Sequence, residues 1–297
     1  MTTRRKVLLA IGGAYLGSLF LAVLIFGFTR RDNDEFAPQN EFKLDTWVEL
    51  GPFDLNKAVL YLFIAAFLTA GTMLWISRRM QAKPNRTQTL VELLYTTMRD
   101  QITRGNMDDR MAKKWFPFIG TLFLFIWFSN LIGYIPLPTN TEHKIDVLGL
   151  EIPSFAIYAA TANISIPLVL TLVVWFAYNI EGIRAHGFIG YLKTFVPGGI
   201  TGFAAIPLFV IEVISHLVRI ISLSVRLFAN ILAGHLLILF MAGGLVVLLG
   251  LPSLGVFTLL MAIPFFLFEV ALVATLQAFI FATLTSIYIG GATAEGH

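Results

Sequence analysis

Cysteine is absent from all 297 residues. No disulfide framework, thiolate metal site or cysteine nucleophile is therefore open to this chain. Charge is scarce as well. Only 13% of residues are Asp, Glu, Lys or Arg, about half the share of an ordinary soluble domain. No glycine-rich loop ends in Gly-Lys-Ser or Gly-Lys-Thr, so a nucleotide site of that kind is excluded. No internal repeat is visible. The net charge of +3 is small for so long a chain, and no nucleic-acid partner, cofactor or metal is expected.

What fills the chain instead is apolar: 57% of residues are hydrophobic and the mean hydropathy is +0.79. Too little polar surface remains to face water, and the class is membrane protein. A spanning helix takes about 20 mostly apolar residues. Residues 7–28, 57–76, 115–135 and 153–178 are such runs. From 202 almost to 290 the sequence stays apolar, breaking only at Gly243-Gly244 and at 250–253. That stretch reads as a hairpin of two long helices. The expected fold is all-α and polytopic, with about six membrane segments and essentially no strand. A single membrane domain, 1–297, is expected: an N-terminal helix and external loop (1–56), helices with an amphipathic segment (57–201), and a C-terminal hairpin (202–297). Arg4, Arg5 and Lys6 before the first run suit a signal peptide, but its length exceeds a signal core and no Ala-x-Ala site follows, which favours a retained helix.

Orientation follows from the loops. Segment 78–114 holds nine Lys/Arg against four acids, whereas 30–57 holds four against seven and 136–153 one against three. Basic loops stay inside, so 78–114 and both termini are expected in the cytoplasm. Within that segment, residues 87–103 place Leu90, Leu93, Leu94, Met98 and Ile102 at helical spacing. It is too polar to span and reads as a helix lying at the membrane face. His143 and His186 sit in loops and receive no role. Tyr288 is expected in an aromatic belt.

Between 195 and 294 only Glu212, Arg219, Arg226 and Glu269 are charged. Each costs about 2.5–3.5 kcal/mol at bilayer depth on insertion scales. Glu212, Arg219 and Arg226 are seven apart, and seven steps of about 100° return to within about 20°. They form one stripe, with Ser215, His216 and Asn230 close to it. Glu212 and Arg219 can form an ordinary buried salt bridge. Arg226 has no acid within two turns on its own helix, so its partner must come from elsewhere. As one helix, 202–242 would be about 60 Å long against a core of about 30 Å, which calls for steep tilt. Ser222, Ser224, Ala229, Ala233 and Gly234 permit close backbone approach.

Residues 222–235 read SLSVRLFANILAGH, and 275–289 read TLQAFIFATLTSIYI. Together with the acid fourteen residues before Arg226, these blocks resemble the two signatures of subunit a of the F-type ATP synthase. The resemblance covers about residue 45 to the C-terminus. It implies a stator subunit of the membrane sector, in a plasma or inner membrane, with partners in the c-subunit ring, b-type peripheral stalk subunits, the rest of the synthase, protons and lipid. It implies no catalysis in this chain. Arg226 would face the ring carboxylate. Glu212, with Ser215, would line a cytoplasmic half-channel. Asn230, His235, Gln277 and Glu269 would line an external one, bordered by Asn130 and Asn163, and Arg219 would belong to the same ion path. His235 stands where some members carry a carboxylate, and Gly133 and Ala162 where some carry acids. His235, nine residues past Arg226, falls on the opposite face of an ideal helix, about 13.5 Å along. The alternative role for Asn130 and Asn163 is hydrogen bonding between neighbouring helices. The alternative function is a secondary transporter that binds an anionic substrate at Arg226. Such folds often carry inverted repeats, and the charged stripe here occurs once.

Overall fold

The computed structural model describes residues 46–50, 53–81, 84–135, 145–147, 150–152, 159–196, 200, 202–241 and 255–294, with Gly13, Gly17 and Leu21 as isolated positions. The expected first span, the glycine breaks and most of the two acidic loops lie outside the described residues. Two compact units are present, one formed by Met1–Asp45, Leu137–Ala156 and Leu232–Val273, the other by Thr46–Pro136, Ile157–Ile231 and Ala274–His297.

Among the described residues five helices are long and apolar enough to cross a membrane: Lys57–Arg79, Asp109–Ile132, Ser165–His186, Gly202–Leu239 and Leu260–Thr293. The all-α expectation therefore holds for the body of the chain. Two short hairpins depart from it. Strands β1 (Thr46–Leu50) and β2 (Phe53–Asn56) pair antiparallel, as do β3 (Ile145–Val147) and β4 (Leu150–Ile152). Both belong to the acidic loops, where a hairpin satisfies backbone groups outside a helix.

The larger unit is built around four packed helices. Helix α1 (Lys57–Arg79) starts where the Asn56 side chain accepts from the Val59 N–H at 3.1 Å, satisfying one of the free donors of a helix start. The basic segment follows as helix α2 (Arg86–Thr96), capped by Asn85, and a π-helical stretch, Thr97–Thr103. Leu90 and Leu93 remain exposed, whereas Met98 and Ile102 are buried. The amphipathic segment thus buries its second half more deeply than its first, which still sets Tyr95 edge-on against the Phe116 ring at 4.9 Å. Helix α3 (Asp109–Ile132) packs against α1.

The fourth apolar run differs from expectation. Its helix, α4, is Ser165–His186, not 153–178. Ala160–Ala162 form a 3₁₀ turn, and the Asn163 side chain accepts from the Ser165 N–H at 3.0 Å. This polar turn starts the helix late, and Pro167 is tolerated because it lies in the first turn. At the other end the helix passes Tyr178 because Glu181, although buried, is paired with Lys114 of α3. A short helix α5 (Phe188–Lys193) then folds back, and Tyr191 lies directly over Gly182, where any Cβ would overlap its ring.

Helix α6 (Ala205–Leu239) has 35 residues, about 52 Å at 1.5 Å per residue. Within the larger unit its buried face carries His216, Leu223, Ser224, Leu227 and Ile231, and its exposed face Ile211, Ile214, Val218, Ile221 and Val225. Helix α7 (Gly255–Phe268) and a π turn, Glu269–Val273, precede helix α8 (Ala274–Thr293). Helix α8 packs against α3 and α4. The Ser286 hydroxyl donates to the Ile102 carbonyl at 2.8 Å, and the Trp127 indole donates to the Thr275 hydroxyl at 3.1 Å. The start of α3 is therefore level with the ends of α4 and α8, an antiparallel arrangement that matches alternating spans.

Gly290 is the tightest approach in this packing. A Cβ there would overlap the Asn106 carbonyl oxygen, a backbone atom that cannot swing aside. Gly290→Ala is expected to destabilise the bundle by about 1–3 kcal/mol, the usual cost of overpacking. Thermal unfolding of the detergent-solubilised chain checks this, and an unchanged midpoint would show that the 102–107 segment yields freely.

Candidate functional site

The stripe on α6 is split by its own drift. At about 100° per residue, Glu212 lies about 40° round from Arg226, turned toward the buried side. Glu212 and Arg219 consequently sit at the seam with α4 and α8, half-buried, while Arg226 is exposed. Arg219 Nη2 donates to Glu212 Oε1 at 3.2 Å. The Arg219 guanidinium also lies over the Tyr288 ring, 5.2 Å from its centroid, so Tyr288 does more than sit in an aromatic belt.

Beside this pair stands His216, which the expected site omitted. Its Nε2 is 3.5 Å from Glu212 Oε1, its Nδ1 is 3.0 Å from the Tyr178 hydroxyl, and Phe195 stacks on its ring at 4.6 Å. These groups open on a cavity of about 380 Å³ whose wall also includes Tyr191 and Thr194. Burial pushes the Tyr191 phenol up to about 12, Arg219 pulling the other way and Glu212 adding to the rise. Ser215 is half-buried on α6 and is not among the residues lining this cavity. A signal for His216 was present: it follows Glu212 by four residues, so the two share a helix face. Tyr178 could not be found that way, since it belongs to another helix.

A second polar contact lies further along α6. Asn230 Nδ2 donates to Gln277 Oε1 of α8 at 2.7 Å. Gln277 is almost wholly buried, and its Nε2 has no partner among the described residues. A buried amide donor left unmatched is costly, and water entering here would satisfy it. Asn130 is fully buried, accepting from Thr161 Oγ1 at 2.7 Å and donating to the Ala274 carbonyl at 3.3 Å. It ties helices together, as lone membrane amides do. Asn163 lies in the turn before α4 rather than within a helix, and its Oδ1 caps that helix. Within the smaller unit, His235 is half-buried near the end of α6, and Glu269 is buried at the first position of the π turn.

Arg226 contrasts with all of these. It is exposed and makes no ion pair or hydrogen bond with another described residue. On the helix surface it stands beside the exposed Val225 and Ala229, with Ser222 one turn before it and Asn230 one turn after, and none of these is charged.

The family profile described as ATP synthase A chain matches residues 59–290. The chain belongs to the ATP synthase A chain family. It is 36% identical over 275 residues to "ATP synthase subunit a" of Parafrankia sp. (strain EAN1pec), covering 90% of this chain and 84% of that relative. It is 35% identical over 272 residues to "ATP synthase subunit a" of Brucella ovis, covering 88% of this chain and 98% of that one. The ATP synthase A chain match spans three of the five described membrane helices whole and nearly all of the other two. This is a multi-pass membrane protein of the ATP synthase class, associated with ATP synthesis and proton transport. The match goes to a synthase subunit and lends no support to a transporter of anionic substrates.

Proposed function

We propose that the chain is the proton-conducting stator subunit of an F-type ATP synthase, with Arg226 facing the essential carboxylate of a rotating c-subunit ring. One observation carries this reading: an exposed guanidinium that has no partner among the described residues, on a membrane-spanning helix. In lipid that arrangement costs about 2.5–3.5 kcal/mol or more. A neighbour that covers the apolar residues and supplies an anion removes the cost. A curved ring of hairpin proteolipids, each with a carboxylate at mid-depth, has that chemistry, and Ala229 and Ala233 on the same face allow close approach.

Two offset half-channels flank Arg226 in this reading. Glu212, with Arg219 and Ser215, belongs to the inner one. Asn230, Gln277, His235 and Glu269 belong to the outer one, and Asn130 and Asn163 border it. The Asn230–Gln277 contact and the unmatched Gln277 amide support a hydrated outer path. The chain itself catalyses no bond change, and nucleotide chemistry falls to partner subunits. A peripheral stalk of b-type subunits holds it against the ring. The whole chain serves as one membrane domain of a plasma or inner membrane, with both termini cytoplasmic.

ATP-driven acidification of sealed vesicles carrying the assembled complex tests the central assignment, since substitution of Arg226 should abolish it. Orientation has its own test. Cysteines introduced singly at Thr87 and Thr139 of this cysteine-free chain should be labelled by an impermeant maleimide from opposite sides of the vesicle. Labelling of both from one side would overturn the alternating layout.

A further inference from the structure

The inner cavity contains a histidine that the half-channel reading does not use. Glu212, when ionised, only accepts hydrogen bonds. The ring nitrogen that faces it, His216 Nε2 at 3.5 Å, is therefore stable there only with its hydrogen attached. In a neutral ring the other nitrogen is then a bare acceptor, and the Tyr178 hydroxyl, 3.0 Å from Nδ1, donates to it. Phe195, stacked on the ring at 4.6 Å and 23°, restrains it from turning over. Tyr178 and His216 are 2% and 8% exposed, so bulk water does not replace these contacts. The reversed tautomer would set a lone pair against the carboxylate.

We propose that His216, fixed by Tyr178, is a positioning residue that orients the Glu212 carboxylate and sets the pH range over which the inner mouth exchanges protons. This rests on the inner-path reading given above. Among the described residues, the charged and titratable groups around His216 are Glu212 and Arg219 on α6, Tyr178 on α4, Tyr191 on α5 and Tyr288 on α8. Glu212 is the one acid among them. Arg219 already donates to the same oxygen, Oε1. His216 Nε2 adds a second polar contact to that oxygen at 3.5 Å, and two contacts from different turns of α6 define the carboxylate's position better than one.

Loss of the Tyr178 hydroxyl separates positioning from bulk. Without it, Glu212 alone holds the neutral ring in that tautomer, and part of the population turns a lone pair toward the carboxylate. Once the ring takes up a second proton it donates from both nitrogens, and the defect vanishes. Tyr178→Phe should therefore lower ATP-driven proton flux about threefold at a cytoplasmic pH of about 8, with the deficit narrowing as the cytoplasmic side is acidified.

The experiment measures flux through the assembled complex in sealed vesicles across cytoplasmic pH, normalised to complex content and to ATP hydrolysis by the head. His216→Leu should slow flux at every pH. His216→Gln, which can donate to Glu212 but does not titrate, should recover most of it with a flatter profile. A Tyr178→Phe profile parallel to wild type, or a glutamine variant no better than leucine, overturns the role of His216. Glu212→Gln run alongside tells the two failures apart. If it is slow while the other variants behave as wild type, only the role of His216 falls; if it conducts normally, the inner path falls and this role with it.

Discussion

Arg226→Ala is expected to abolish ATP-driven proton pumping and proton-driven ATP synthesis, while ATP hydrolysis by the detached head continues at its normal rate. That is the largest effect expected of any substitution in this chain. Every other charged residue of α6 has a partner: Glu212 has Arg219 and His216, and Arg219 has Tyr288 as well. Arg226 has none among the described residues and is exposed. Its loss should leave the fold intact, because no described contact is broken. Assembled complex should be recovered at wild-type yield, and the loss of function should be complete rather than graded.

Arg226→Lys should fail nearly as completely, although it keeps the formal charge. A guanidinium is delocalised and stays protonated in any protein environment, whereas a lysine ammonium is a compact charge that loses its proton readily when desolvated. On the proposed reading the cation has two tasks. It favours the ionised form of each arriving ring carboxylate, and it denies protons a direct hop between half-channels. A neutral lysine does neither. The alanine variant should in addition leak protons passively down an imposed pH gradient. Flux in vesicles, with ATP and then with a gradient alone, measures both. Pumping at the wild-type level by either variant would make Arg226 a structural charge and remove the basis of the proposed function.

Much of the architecture could be read in advance because bilayer thickness makes apolar run length informative. The helix Lys57–Arg79 begins at the residue where the run begins. The fourth helix was misplaced at both ends because hydropathy is blind to what decides them. Its start is set by the Asn163 cap and its extension by the Lys114–Glu181 pair, and that pair joins residues far apart in sequence. The short hairpins were missed for a related reason, since polar loops carry no hydropathy signal. At the site, spacing on a regular helix correctly brought Glu212 and Arg219 together. It could not bring Asn230 to Gln277, which requires knowing how α6 and α8 are packed. Nor can the eight-residue step from Glu269 to Gln277 be converted to an angle at 100° per residue, because Glu269–Val273 is a π turn, with a wider winding than an α-helix.

Glu212→Gln is the second substitution with a large expected effect, and the structure makes its interpretation sharper than the sequence could. The salt bridge to Arg219 at 3.2 Å offers a purely structural role for the acid. With both side chains about one-third exposed, such a pair contributes at most about 1 kcal/mol. Glutamine keeps an oxygen that accepts from Arg219, so the thermal midpoint and the yield of complex should change little. What glutamine cannot do is take up and release a proton. If the inner path runs through Glu212, flux in both directions should fall by about tenfold or more, equivalent to about 1.4 kcal/mol on the barrier. Arg219→Gln supplies the contrast. It breaks the same salt bridge but leaves the proton-exchanging acid in place, and it should slow flux less than Glu212→Gln does. Equal losses in the two variants, accompanied by a common fall in thermal midpoint, would mean that the pair acts as a strut and that protons cross the inner leaflet by another route. A slow Glu212→Gln complex of unchanged stability, beside a faster Arg219→Gln complex, places proton exchange on the carboxylate itself.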